Sequence, residues 1–134
     1  MKLSHKIKKS PGYIFDYLTD MQKFVTVHPV ITKIRKNGDN SYFVYETLNL
    51  GFIPFSFTYP VTIKSQPLEK IVIVRARVMK LTTIEMTFEL KEINDFTIVE
   101  EHIIFKSRLP VKSMLQRIFK KQHEQLFKNI EMAP

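Results

Sequence analysis

The chain has 134 residues, enough for one domain with its own apolar core, and carries 21 Lys plus Arg against 13 Asp plus Glu, a net charge of +8. It has no cysteine, which excludes disulfides, thiol catalysis and zinc-thiolate sites and fits a reducing compartment. No run approaches the roughly 18 apolar residues that span a bilayer, and the lysine-rich start Lys2 to Lys9 has no apolar signal core, so a cytoplasmic location is expected.

The predicted elements begin with a strand around Leu3, His5 and Ile7. Ser10-Pro11 is a helix start, a hydroxyl to cap free amides followed by a ring preset for the first helical position, and Ile14, Phe15 and Leu18 form its apolar stripe. Asp20 caps a second short helix through Phe24, which must end before Pro29. From Val30 the period changes to two: Val30 to Lys36, a turn at Asn37-Gly38-Asp39-Asn40, then Ser41 to Leu50.

Next comes the clearest alternation in the chain. Ile53, Phe55, Phe57, Tyr59, Val61 and Ile63 share one face, and Pro54 and Pro60 on the other cannot donate ladder bonds, which predicts an edge or bent strand. Lys70 to Val78 and Leu81 to Ile93 form a further hairpin, with Val72, Val74, Ala76 and Val78 facing the same way as Ile84, Met86, Phe88 and Leu90. Arg75 and Arg77 oppose Glu85 and Glu89 on its other face. Asn94-Asp95 turns into a last strand, Phe96 to Leu109. A long amphipathic helix from about Pro110 to Met132 closes the chain, its apolar face carrying Val111, Met114, Leu115, Ile118, Phe119, Leu126 and Ile130 together with Gln122, Gln125 and Asn129.

Strand, two short helices, a meander of six to seven antiparallel strands and a long closing helix make an α+β domain spanning 1–134. This order resembles the helix-grip fold of the START and Bet v 1 superfamily, also labelled SRPBCC or polyketide cyclase-like. The residues that carry the resemblance are Ser10-Pro11, Ile14-Phe15, Leu18, Asp20, Phe24 and His28-Pro29-x-Ile31 at the front, and Leu126-x-x-Asn129-Ile130 at the back. Val27 stands where many such proteins have tryptophan. The resemblance implies a curved sheet that grips the long helix around a cavity for a small hydrophobic ligand, a lipid, quinone or polyketide-like molecule. It implies inward positions at Phe55, Phe57, Tyr59, Met86 and Phe88 in the sheet, and at Met114, Leu115, Ile118 and Gln122 in the helix. Phe24, His28 and Tyr45 complete the expected ligand-binding set, with the Tyr45 and Tyr59 phenols as polar handles in an apolar wall or turned outward.

Candidate chemistry is sparse. There is no Gly-x-Ser-x-Gly and no phosphate-cradling glycine loop. His28, near the expected cavity mouth, is a candidate acid or base, against the alternative that it satisfies the loop beside Pro29. In the last strand Glu101 shares one face with Val99 and Ile103, whereas Glu100 and His102 share the other, and periodicity leaves open which face is internal. An aromatase or cyclase-like enzyme using His28 with Glu101 or His102 is the alternative to a non-catalytic carrier, so the sequence leaves enzyme activity undecided. No cofactor and no metal site are expected. The apolar hairpin tip Leu48 to Phe55, beside a basic surface, suggests a lid or peripheral contact with an anionic membrane. Nucleic acid is disfavoured, because the aromatic stripe reads as core and no RNA-binding signature is present.

Overall fold

A computed structural model describes residues 1–50 and 52–134, with the backbone alone at Leu50. The elements run β1 (Lys2–Ile7), α1 (Pro11–Thr19), α2 (Met21–Val27), β2 (Ile31–Gly38), β3 (Ser41–Leu50), β4 (Ile53–Gln66), β5 (Ile71–Val78), β6 (Thr82–Ile93), β7 (Phe96–Ser107) and α3 (Lys112–Met132). Local chemistry sets the helix starts as the sequence predicts. The Ser10 hydroxyl accepts from the Tyr13 amide, and the Asp20 carboxylate accepts from the Gln22 and Lys23 amides at the head of α2. α2 runs one turn beyond Phe24, to Val27, before His28 breaks out of the helix ahead of Pro29.

The strands form one seven-stranded antiparallel sheet in the order β1-β7-β6-β5-β4-β3-β2. Each hairpin from β2 to β7 joins neighbours, and β1 returns to pair with β7, so α1 and α2 bridge the two sheet edges. In register, Val72, Val74 and Ala76 lie opposite Phe88, Met86 and Ile84. Arg75 is paired with Glu85 by hydrogen bonds and an ion pair, whereas Arg77 lies opposite Thr83, and Glu89 approaches Lys91 instead.

β4 is an interior strand, a partial departure from the expected edge. Its first half pairs with β3 alone, because the ladder to β5 begins only at Val61 opposite Ala76. Pro54 and Pro60 both lie in that half, where no hydrogen is needed on the unpaired side.

One apolar core joins the helices to the sheet. Ile14, Phe15 and Leu18 from α1 and Leu126, Phe127 and Ile130 from α3 pack with Val99 of β7 and Val72 of β5. Three polar ties fix the closing helix and the first loop. The Tyr13 hydroxyl reaches the Ala133 carbonyl at 2.8 Å, the Asn129 amide donates to the Val27 carbonyl at 2.8 Å, and the Thr97 hydroxyl donates to the Lys9 carbonyl at 2.6 Å. Asn129 therefore holds α3 against the end of α2, while Gln125, expected on the apolar face, is exposed and donates to Asn129. Among the described residues no helix is long and apolar enough to cross a membrane.

Candidate ligand cavity

The N-terminal half of α3 stands off the sheet and leaves a cavity of about 350 Å³. Its floor is the inward face of the sheet, where Phe57, Tyr59 and Val61 from β4 adjoin Val74 from β5 and Met86 and Phe88 from β6. Met114, Leu115, Ile118, Phe119 and Gln122 of α3 form the roof, and Phe24 and His28 close the end beside α2. Phe55, Met79, Leu109 and Met114 line the cavity yet are 39%, 55%, 46% and 47% exposed, so they mark its mouth. That mouth lies between the start of β4, the β5–β6 turn and the start of α3.

The polar residues among the described lining are His28, Glu46, Tyr59, Thr82, Gln122 and His123. Glu46 projects from β3 into this wall because alternation turns Val44, Glu46 and Leu48 inward together. The Tyr59 hydroxyl donates to Glu46 Oε1 at 2.9 Å. Burial pushes the Glu46 carboxyl above its usual value, against the opposing pull of the Tyr59 hydrogen bond and of His123. Burial and the adjacent carboxylate push the Tyr59 phenol well above its ordinary value.

The second polar cluster is a buried chain across three elements. Glu101 of β7 sits at 2% exposure between two imidazoles, with Oε2 at 2.6 Å from His5 Nε2 and Oε1 at 2.5 Å from His123 Nδ1. Burial pushes the Glu101 carboxyl up, but the two facing histidines more than offset it and hold it below the ordinary carboxylate range. An ionised carboxylate only accepts, so His5 Nε2 and His123 Nδ1 carry the protons. Aromatic rings fix both imidazoles. His5 stacks on Phe127 with centroids 4.5 Å apart, and His123 lies between Phe88 and Phe119 at 6.0 and 5.3 Å.

His28 has a local role. Its Nδ1 accepts from the Val30 and Ile31 amides, both at 3.2 Å, and so shapes the turn out of α2 into β2. Accepting two amides requires a bare, neutral nitrogen. Burial, with His123 adding to it, lowers the His28 pKa from 6.5 to about 3.

Of the expected ligand-binding residues, Phe24, His28, Phe55, Phe57, Tyr59, Met86, Phe88, Met114, Leu115, Ile118 and Gln122 come together around the cavity. Tyr45 is a correction. It stands on the opposite face of β3 from Val44 and Glu46, where Lys33 lies 5.4 Å above its ring. Glu101 is the internal group of β7, and His102, with Glu100, points to solvent on the other face. His5, Glu46 and His123 are the residues that sequence reasoning missed. Two patterns carried a signal for them: His5 alternates with Ile7 in β1, and His123 falls four residues after Phe119 and three before Leu126 on the apolar stripe of α3. The apolar tip Leu48 to Phe55 includes Gly51 and the Leu50 side chain, which lie outside the described residues. Phe52 beside them is fully exposed.

No family model matches the sequence, and no curated protein matches it. Solved structures do. Ara h 8.0201 superposes with a TM-score of 0.79 at 12% identity over 98% of this chain and 93% of that one. A START superfamily protein from Mycobacterium smegmatis gives 0.77 at 16% identity over 98% and 93%. The di-domain aromatase/cyclase StfQ from the steffimycin biosynthetic pathway gives 0.79 at 7% identity, over 98% of this chain and 45% of its own. With its seven-stranded antiparallel sheet, two short bridging helices and long closing helix, this chain has the START/Bet v 1-like helix-grip fold.

Proposed function

We propose that this protein binds a small hydrophobic molecule, of the lipid, quinone or polyketide-like kind, in the cavity between the sheet and α3. The observation that carries this reading is the unfilled volume itself. Protein interiors pack to near-crystalline density, and an apolar void sacrifices contacts that a repacked core would recover. A space of about 350 Å³, walled mainly by apolar side chains and reached past exposed apolar ones, matches ligand pockets, which run roughly 300–1,000 Å³. The fold supports the reading without choosing the ligand. Native mass spectrometry of protein purified from its own host, followed by denaturing extraction, tests it. A stoichiometric apolar passenger is expected. An empty, folded protein that also gives no thermal shift with lipids, quinones or aromatic polyketides sinks it.

One observation favours a second reading, an aromatase or cyclase-like enzyme. Glu101 orients His123 at the cavity wall as a carboxylate orients a general base. If a linear polyketide mimic reacts no faster with the protein than in buffer, that reading fails.

The mouth also suits brief contact with an anionic bilayer. Phe52 and Ile53 are 104% and 71% exposed at the β3–β4 tip, Lys80 and Arg108 adjoin the exposed rim residues Met79 and Leu109 in sequence, and Lys112 stands two residues before Met114. Sedimentation with vesicles of phosphatidylserine and phosphatidylcholine should exceed that with phosphatidylcholine alone and fall in Phe52→Asp. Equal partition into both removes the membrane from the account.

A further inference from the structure

The chain of His5, Glu101 and His123 leaves two ring nitrogens outside its hydrogen bonds, Nδ1 of His5 and Nε2 of His123, and of the two rings only that of His123 lines the cavity. His123 Nδ1 is committed to Glu101, and among the described residues no hydrogen bond reaches its other nitrogen, Nε2. Among the described residues, every fully occluded side-chain nitrogen or oxygen has a partner. Nε2 is therefore not fully occluded, although His123 as a whole is only 4% exposed. The open space that His123 borders is the cavity. Nδ1 is turned to the Glu101 carboxylate, so in the tautomer that donates there Nε2 is a bare acceptor toward the cavity.

Such an atom in an apolar wall is costly unless an occupant donates to it. We infer that the cavity takes a flat, apolar molecule bearing a hydroxyl group, a phenol or an enol, whose O–H donates to His123 Nε2. This rests on the ligand-binding reading above and narrows it. The flat shape follows from the rings around the site: Phe88 and Phe119 flank the imidazole, and Phe55, Phe57 and Tyr59 run along β4 with centroids 5.5 and 5.7 Å apart. A neutral donor is favoured over a cation because desolvating an ammonium in this wall is expensive. Glu101 and His5 do not touch the ligand. They position His123, and His5 does so from β1, one of the two edge strands of the sheet.

Three probes of one shape separate the possibilities: naphthol, methoxynaphthalene and naphthalene, titrated by calorimetry into the wild-type protein and Glu101→Gln. Naphthol is expected to bind roughly 5- to 10-fold tighter than methoxynaphthalene, which can only accept. In Glu101→Gln the amide donates to only one of its two histidines; where proton–nitrogen spectra of the variant place its N–H on His123 Nδ1, the proton moves to Nε2 and that preference is expected to vanish, because both probes then accept from the ring. A purely structural role for Glu101 would weaken all three probes alike. Equal binding of the three to the wild type overturns the hydroxyl inference and leaves the cavity reading standing; no binding of any of the three also overturns the inference, and the cavity reading falls with it only if lipids and quinones fail to bind as well. Should Glu101→Gln fail to fold, proton–nitrogen correlation spectra of the wild-type histidine rings decide the matter. His123 is expected to carry its proton on Nδ1 and to shift at Nε2 when naphthol is added; a proton on Nε2 in the free protein, or no shift, overturns the inference.

Discussion

Tyr59 donates its hydroxyl to Glu46 across adjacent strands, and both side chains face the cavity rather than solvent. Removing the donor in Tyr59→Phe leaves a buried carboxyl short of a partner. The expected cost is about 1–2 kcal/mol in urea unfolding at neutral pH. Glu46→Gln keeps an acceptor for Tyr59 and removes the charge. Burial raises the Glu46 carboxyl, so the folded state holds its proton longer than the unfolded chain, and stability falls as pH rises from the ordinary carboxylate value through the raised one. Glu46→Gln is expected to abolish that decline and to be more stable than wild type at neutral pH. Lower stability there would show that the carboxylate has a further partner.

Glu101 has the opposite sign. Its folded-state pKa is depressed, so its contribution to stability is fully present above the ordinary carboxylate pKa and is lost as pH falls through the depressed value. Breaking the chain at its centre with Glu101→Leu should cost about 3–5 kcal/mol at neutral pH, with a smaller penalty in strong acid. Denaturant unfolding of both proteins across the acid range measures the difference. A pH-independent penalty would mean that packing, not charge, is what the substitution removes.

At His28 we expect a structural rather than catalytic phenotype. The folded ring titrates at about 3 against 6.5 for the ordinary imidazole, so stability is lost as pH falls from 6.5 toward 3, on the order of 2–4 kcal/mol across that window. His28→Asn offers an amide oxygen to the Val30 and Ile31 amides and should flatten this pH dependence while retaining most of the neutral-pH stability. His28→Ala should lose about 1–2 kcal/mol at neutral pH. Identical losses for the two variants would discount the amide cradle.

The β5–β6 connection places Met79 and Lys80 at φ 54° and 62°, a region that side chains with Cβ enter at a cost. Lys80→Gly removes that strain and should stabilise the protein by about 1 kcal/mol, read as a rise in midpoint denaturant concentration. A drop would indicate that the Lys80 side chain contributes more than its backbone strain costs.

The strand train was legible because alternation is local: β4, β5 and β6 each carry a full period-two pattern, and the turns at Asp39-Asn40 and Asn94-Asp95 use residues suited to positive φ. β3 misled because Tyr42, Phe43, Val44 and Tyr45 are apolar or aromatic on both faces, so nothing in the pattern said which was internal. The outer face is solved by cations instead, with Lys33 over Tyr45 and Arg35 over Phe43. The histidine pair around Glu101 was hidden for another reason. His5 lies 96 residues from Glu101 and His123 lies 22 away, and their meeting depends on how α3 rolls on the sheet and which edge β1 joins. Helical spacing placed His123 on the apolar stripe, but no local pattern reports a partner in another element.

Pro60 stands where the β4–β5 ladder stops, one step before Val61 meets Ala76, and Arg77 and Val78 continue along β6 without a β4 neighbour. A ring in place of an N–H thus acts as a zipper stop. It stands where two strands part near Phe55 and Met79 at the cavity mouth, and with Pro54 it interrupts the hydrogen-bonding row that a parted sheet would otherwise offer a second molecule's strand. The residue that ends the ladder at the cavity mouth thus also guards the strand edge exposed there against pairing with a second copy.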